Sequence, residues 1–185
     1  MAQTAARYGA MGFLLTPYSL HSGAWKPGDP VARQGYGNRC VMFRNNYLEI
    51  LASENSALPS ARIANFLTHH QGAHIICFGT QDLEAVATRL QATGINTSDV
   101  LPLQRDIDTP EGMRTAKFQR LIFAPDTSPE GFIQAALHLT PEYIHQPRFM
   151  AHPNQAVALS EVFLVTDDPD GFEAKYAHYC GIALA

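Results

Sequence analysis

The sequence has little charge, no basic cluster, no long apolar run and no paired cysteines. Only 16% of its 185 residues are Asp, Glu, Lys or Arg, and the net charge is −4. Phosphate backbones need clustered cations, and none occur here, so nucleic acid is not an expected partner. No apolar run approaches the ~18 residues that a membrane-spanning helix requires, so no membrane partner is expected either. The opening residues, MAQTAARYGAMGF, lack the basic start and apolar segment of a secretory signal, and a cytoplasmic location is the expectation. Cys40, Cys77 and Cys180 are odd in number and far apart. That spacing argues against a disulfide framework or a zinc knot, and for reduced thiols used in packing. No Ser-His-Asp or Cys-His arrangement stands at motif spacing, and no phosphate loop is present.

What is present is apolar and compactly patterned. Hydrophobic residues make up 46% of the chain, enough for one domain with a sizeable core or two small lobes. The stretch Gly35–Leu51, GYGNRCVMFRNNYLEIL, predicts two short strands. Arg39–Phe43 is an apolar run, Arg44–Asn46 a turn whose asparagines tolerate left-handed backbone, and Tyr47–Leu51 a second strand. Alternation puts Tyr47, Glu49 and Leu51 on one face, with Leu48 and Ile50 on the other. Glu49 is therefore a carboxylate within an apolar strand. Burying it is costly unless it is paired, protonated or bound to a cation. A nearby arginine such as Arg39 is the bland partner.

Along the chain, Ala2–Met11 predicts a helix stopped by Gly12, and Phe13–Tyr18 an edge strand that contains Pro17. Ser19–Gly37 reads as a Gly- and Pro-rich loop holding His21, Trp25 and Tyr36, with Trp25 covering either a pocket or an end of the core. Arg62–His70 predicts one or two helical turns. Its adjacent His69 and His70 point apart and read as solvated or capping groups. Ala73–Thr80 predicts a strand. Gln81–Thr93 predicts the strongest helix, with Leu83, Val86, Ala87 and Leu90 on one face, Asp82 as cap and Gly94 as stop. Strands are then expected over Ile95–Leu103, Thr115–Ala124 and Gly131–Leu139, with Arg105–Arg114 as a charged turn. A connector over Thr140–Ala156 follows, in which His152-Pro-Asn154 shapes a turn. A strand over Leu159–Asp167 and a helix over Asp168–Tyr179 complete the reading, with Pro169 in the helix's first turn.

Two units repeat. Thr80-Gln-Asp82-Leu and Thr166-Asp-Asp168-Pro each join an apolar strand to a helix that ends in glycine. With the glycine-rich segment before Asn38-Arg39, the following Tyr47-Leu-Glu49 and the connector TPEYIHQP, this pattern resembles the glyoxalase-like branch of the vicinal oxygen chelate superfamily.

The resemblance implies an α+β fold of paired βαβββ modules around a shared cleft. Residues 1–56 would form a partial first module without its first strand. Residues 73–140 would form a complete second module, and residues 157–185 would begin a third strand-helix unit. In metal-binding members the glutamate of the fourth strand is a ligand, and Glu49 matches it. His74, Gln134 and His138 would join Glu49 around a divalent ion (Zn, Ni, Mn or Fe). Arg39, Tyr47 and Trp25 are the candidate substrate-binding residues. Two functions remain open. One is metal-assisted lyase, isomerase or dioxygenase chemistry on a small oxygen-rich molecule, with Glu49 as ligand or base. The other is metal-free binding or sequestering of a small molecule. Leu159–Asp167, or its copy from a second subunit in a homodimer, is expected to fill the vacant first-strand position. Glu161 or Ser160 would then face the cleft.

Overall fold

A computed structural model describes every residue of the chain except 25, 56, 59–60, 125–127, 129 and 183–185. The elements run α1 (Ala2–Ala10), β1 (Ser19–Gly23), β2 (Ala32–Met42), β3 (Tyr47–Ser53), α2 (Ala61–His69), β4 (Ile75–Gly79), α3 (Leu83–Ala92), β5 (Leu101–Thr109), β6 (Gly112–Ile122), β7 (Phe132–His138), α4 (Pro141–Ile144) and α5 (Pro169–Cys180). The seven strands make one curled sheet, a half-barrel, in the order β3-β2-β1-β5-β6-β7-β4. All neighbours are antiparallel except β4, which joins β7 in parallel. β4-α3-β5-β6-β7 is a complete βαβββ unit. β1, β2 and β3 form the matching antiparallel trio of the first half, and the halves meet at the β1–β5 pair.

Two cores flank the sheet. On its convex side Leu83, Val86 and Leu90 of α3 meet Leu121, Phe123, Ile133 and Ala135 of the sheet and Tyr179 of α5. Asp82 caps α3 by accepting from the Ala85 amide at 2.9 Å, as its position in the sequence predicts. The second core lies on the concave side, where Cys40, Met42, Ala116 and Phe118 pack beneath Ile144 of α4. Alternation along β6 and β7 divides residues between the cores: Ile133 and Ala135 face out toward the helices, while Gln134 and His138 face in.

Several expectations change, among them the strand over Leu159–Asp167, which forms no strand, and that over Ile95–Leu103, where β5 begins only at Leu101. Ser19–Gly37 is not a loop throughout, because β1 and most of β2 lie in it. Its glycines mark close approach of backbone. A Cβ on Gly37 would collide with the Tyr18 hydroxyl and the Ser19 carbonyl, and one on Gly35 with the carbonyl of Asn55. Phe13–Tyr18 is not a strand of the sheet, although the Thr16 amide donates to the Cys40 carbonyl at 2.9 Å. Arg105–Arg114 is not a turn. β5 and β6 run on through it, and the turn shrinks to Pro110-Glu111.

Candidate functional site

β2 and β3 pair so that Cys40 faces Glu49, Asn38 faces Leu51 and Met42 faces Tyr47. These side chains share the concave face. The Asn38 amide donates to Glu49 Oε1, and the Asn38 carbonyl oxygen accepts from Nη1 of Arg105 on β5. Asn38 thus bridges an anion and a cation that do not themselves form an ion pair. The Arg105 guanidinium also donates to the Cys40 sulfur at 3.7 and 3.8 Å and lies 5.6 Å above the Phe118 ring. On β1, His21 places Nε2 3.5 Å from Glu49 Oε1. His21 is 6% exposed, and burial pulls its pKa down to about 4 against the opposing attraction of Glu49. It is therefore neutral at ordinary pH. Asn38 holds the Glu49 carboxylate from behind, while its side chain stays 29% exposed.

The far wall of the concave face comes from β4 and β7. Cys77 sits opposite Gln134 in the parallel register. Its thiol keeps an opening to solvent but is crowded by the wall around it. That desolvation, reinforced by the Glu49 charge, pushes its pKa up to about 12. Burial likewise pushes the Cys40 thiol up to about 11. Neither thiol ionises at neutral pH, so neither is a ready nucleophile. His138 packs edge-on to Phe118 at 5.0 Å and lies 5.7 Å from the His145 ring. Burial and His145 lower the His138 pKa to about 4. The Tyr47 hydroxyl stands 3.4 Å from His138 Nε2, and burial raises the Tyr47 pKa well above its ordinary value.

The sequence-predicted site residues divide accordingly. Glu49, Tyr47, Gln134 and His138 share the concave face. His74 does not join them. Its Nε2 pairs with the His70 carbonyl at 2.8 Å, and its ring stacks on Phe66 of α2 and lies 4.0 Å from that of His70. Strand parity gives the reason: Cys77, three residues on, takes the inward position that His74 was expected to hold. Arg39 departs too, because it alternates with Asn38 and Cys40. Its guanidinium donates to the Thr16 carbonyl at 3.0 Å, and Arg39 does not pair with Glu49. Trp25 lies outside the described residues.

Sequence reasoning missed His21, Asn38, Arg105 and Cys77. Arg105 carried a usable signal. Leu101, Leu103 and Ile107 alternate around it, so it interrupts an inward apolar face as Glu49 does. His152 shapes the expected turn, its carbonyl accepting from the Gln155 amide at 2.9 Å, and is also a buried strut. It accepts from the Leu14 amide at 3.0 Å, donates to the Met42 carbonyl at 2.9 Å and meets the rings of Phe13 and Phe43 edge-on.

The sequence matches the glyoxalase-like domain family over residues 1–180. The chain belongs to that family. Membership in the glyoxalase-like family places it within the vicinal oxygen chelate superfamily and agrees with the curled seven-stranded half-barrel. No curated protein matches it. Among solved structures it is similar to the crystal structure of a hypothetical protein from Staphylococcus aureus, with 23% identity and a TM-score of 0.45. That similarity spans 63% of this chain and 49% of the other protein, about half its length.

Divalent metals serve many glyoxalase-like and related proteins, and the side chains present can be tested for that role. Among the described residues no three His, Cys, Asp or Glu side chains converge as a metal would need. Glu49 is already held by Asn38, the inward residue of β4 is a lone thiol, and its neighbour on β7 is an amide. The donor set does not fit a tightly held divalent ion. No helix among the described residues is long and apolar enough to cross a membrane.

Proposed function

We propose that this glyoxalase-like chain binds a small oxygen-rich molecule in the concave cleft without a resident metal. Glu49 is the group that accepts a hydrogen bond from the ligand. The observation that carries the reading is the bridge from Arg105 through Asn38 to Glu49. It fixes a half-exposed carboxylate by hydrogen bonds from behind, so that its orientation is set before a ligand arrives. The same carboxylate can take a proton from a bound hydroxyl or an acidic C–H, and in that role Glu49 would be the base of a metal-independent lyase or isomerase. Tyr47 supplies a neutral hydroxyl beside it, and Gln134 supplies an amide on the opposite wall.

Two measurements test the reading together. Protein purified without added metal is assayed for metal content and titrated with Zn2+, Ni2+, Mn2+ and Fe2+. A thermal-shift screen against small hydroxy acids, keto acids and dicarbonyls is run on the wild type and on Glu49→Gln. The expected result is no stoichiometric metal, together with ligand-induced stabilisation that weakens at least tenfold in the variant. Stoichiometric metal that is lost on Glu49→Gln would overturn the reading. So would a stabilising ligand that binds the variant unchanged.

A further inference from the structure

The contact between Tyr47 and His138 sets the level at which the two walls of the cleft meet. Every step from β3 to β7 is antiparallel: β3 to β2, β2 to β1, β1 to β5, β5 to β6 and β6 to β7. The number of steps is odd, so β3 and β7 run in opposite senses. The next inward residue after Tyr47 is Glu49, and the next inward residue before His138 is Ala136. Glu49 and Ala136 therefore oppose one another across the cleft. Beside Ala136, in parallel register on β4, stands Gly79. It shares the inward parity of Cys77, and a Cβ built on it meets nothing within 4 Å. The Glu49 charge is felt at the Cys77 thiol, two residues before Gly79.

The wall that faces the carboxylate is thus hollowed across two neighbouring strands, about 4.8 Å apart. Gln134 and His138 bound the hollow along β7, about 13 Å from one another. Arg120, in register with Ala136 on β6, is 3% exposed and closes the floor. Two polar atoms on the concave face are left over. His21 is 6% exposed, and its Nε2 points at Glu49 Oε1 from 3.5 Å yet makes no hydrogen bond among the described residues. Gln134 Oε1 is buried and likewise makes none. Polar atoms left unused at such depth are few in folded proteins and call for a ligand to complete them.

We propose that Ala136 and Gly79 determine specificity at the Glu49 site, and that they admit a single ring with hydroxyl groups at opposite ends. The inference rests on Glu49 as the ligand's acceptor. The ring lies in the hollow, where one hydroxyl donates to Glu49 and the other to Gln134 Oε1. A ring holds its two donors at a fixed separation, whereas an open chain must give up rotational freedom to do so. A molecule with carbonyls in those places sets acceptor against acceptor and is rejected.

The test is an NMR titration of the full chain with trans-1,4-cyclohexanediol. Its open-chain and donor-free counterparts are 1,4-butanediol and 1,4-cyclohexanedione. Wild type is compared with Gly79→Ala, Gly79→Leu and Glu49→Gln. Both replacements at Gly79 grow into open space, and melting temperatures no lower than wild type check that the fold is kept. The cyclic diol should bind at least tenfold tighter than either counterpart. Its affinity should fall at least tenfold in Gly79→Leu and by less in Gly79→Ala. A diol that does not bind overturns the proposal, and so does a dione or an open chain that binds as tightly. Affinity that survives Gly79→Leu but not Glu49→Gln overturns the role of the hollow and leaves the Glu49 reading standing. Affinity that survives Glu49→Gln but not Gly79→Leu overturns the Glu49 reading and leaves the hollow.

Discussion

The hydroxyl of Tyr47 and the Nε2 of His138 lie 3.4 Å apart, although four strands separate theirs in the sheet. The contact shows how far the half-barrel curls: β3 and β7 face one another across the cleft, and a Tyr–His pair spans it. At that distance the hydrogen bond is weak, so Tyr47→Phe should change stability by less than about 1 kcal/mol. Its effect should appear instead in ligand affinity. A urea midpoint lowered by much more than this would mean that the pair holds the two halves together.

Acid should destabilise the fold through two buried histidines. His21 and His138 both have folded pKa values lowered to about 4, against an ordinary value of 6.5. The unfolded chain therefore takes up protons first as pH falls. The stability these groups contribute is complete above pH 6.5 and is lost as pH falls toward 4. For buried His21 the slope approaches about 1.4 kcal/mol per pH unit, and it is smaller for the less buried His138. Urea midpoints from pH 7.5 to 4.5 should fall steadily, and the slope should flatten in His21→Gln. A flat wild-type profile would show that neither histidine is held neutral.

Asn38 should be intolerant of apolar replacement. Asn38→Leu removes the acceptor of a buried guanidinium and a donor to Glu49 in one step. The expected loss is about 2–3 kcal/mol, and Asn38→Asp should recover part of it by pairing with Arg105. Thermal denaturation of the three proteins checks this, and equal midpoints for Leu and Asp variants would remove the bridge from the argument.

Gly37→Ala should be among the most damaging small substitutions. The added methyl meets the Tyr18 hydroxyl and the Ser19 carbonyl, so β1 and β2 must separate. A cost of about 1–3 kcal/mol is expected from that overpacking. Gly79→Ala, where a Cβ would meet nothing, is the control and should be close to neutral. Similar losses in both would remove the close approach as the cause, since backbone entropy alone favours alanine at an open strand position.

Much of the second half was legible in the sequence, because its elements follow local rules. The face of α3, its Asp82 cap and Gly94 stop, and the strands β4 and β7 all fall where period and punctuation put them. The parity of Tyr47 and Glu49 was equally readable. The first half resisted for a physical reason. β1 reads SLHSG, with no run of strand formers, since Ser19 and His21 point into a polar interior and not into an apolar one. β2 carries glycines that usually signal a loop, and here they admit neighbouring backbone. His74 was misplaced because a one-residue choice of register reverses a strand's faces. The partners of Glu49 were hidden for another reason: His21, Asn38 and Arg105 meet only when β1, β2 and β5 come together.

The attachment of α5 has a consequence in time. Tyr179 is part of the same buried cluster as Leu121, Phe123 and Ile133, and its hydroxyl bonds to Ser128 at 2.6 Å. During synthesis, β4 through β7 leave the ribosome well before residue 179 does. The convex surface of the sheet therefore stays partly uncovered in the nascent chain, with α3 alone to shield it. Sealing of that core waits on translation of α5, and chaperone binding should be strongest in the interval between the two.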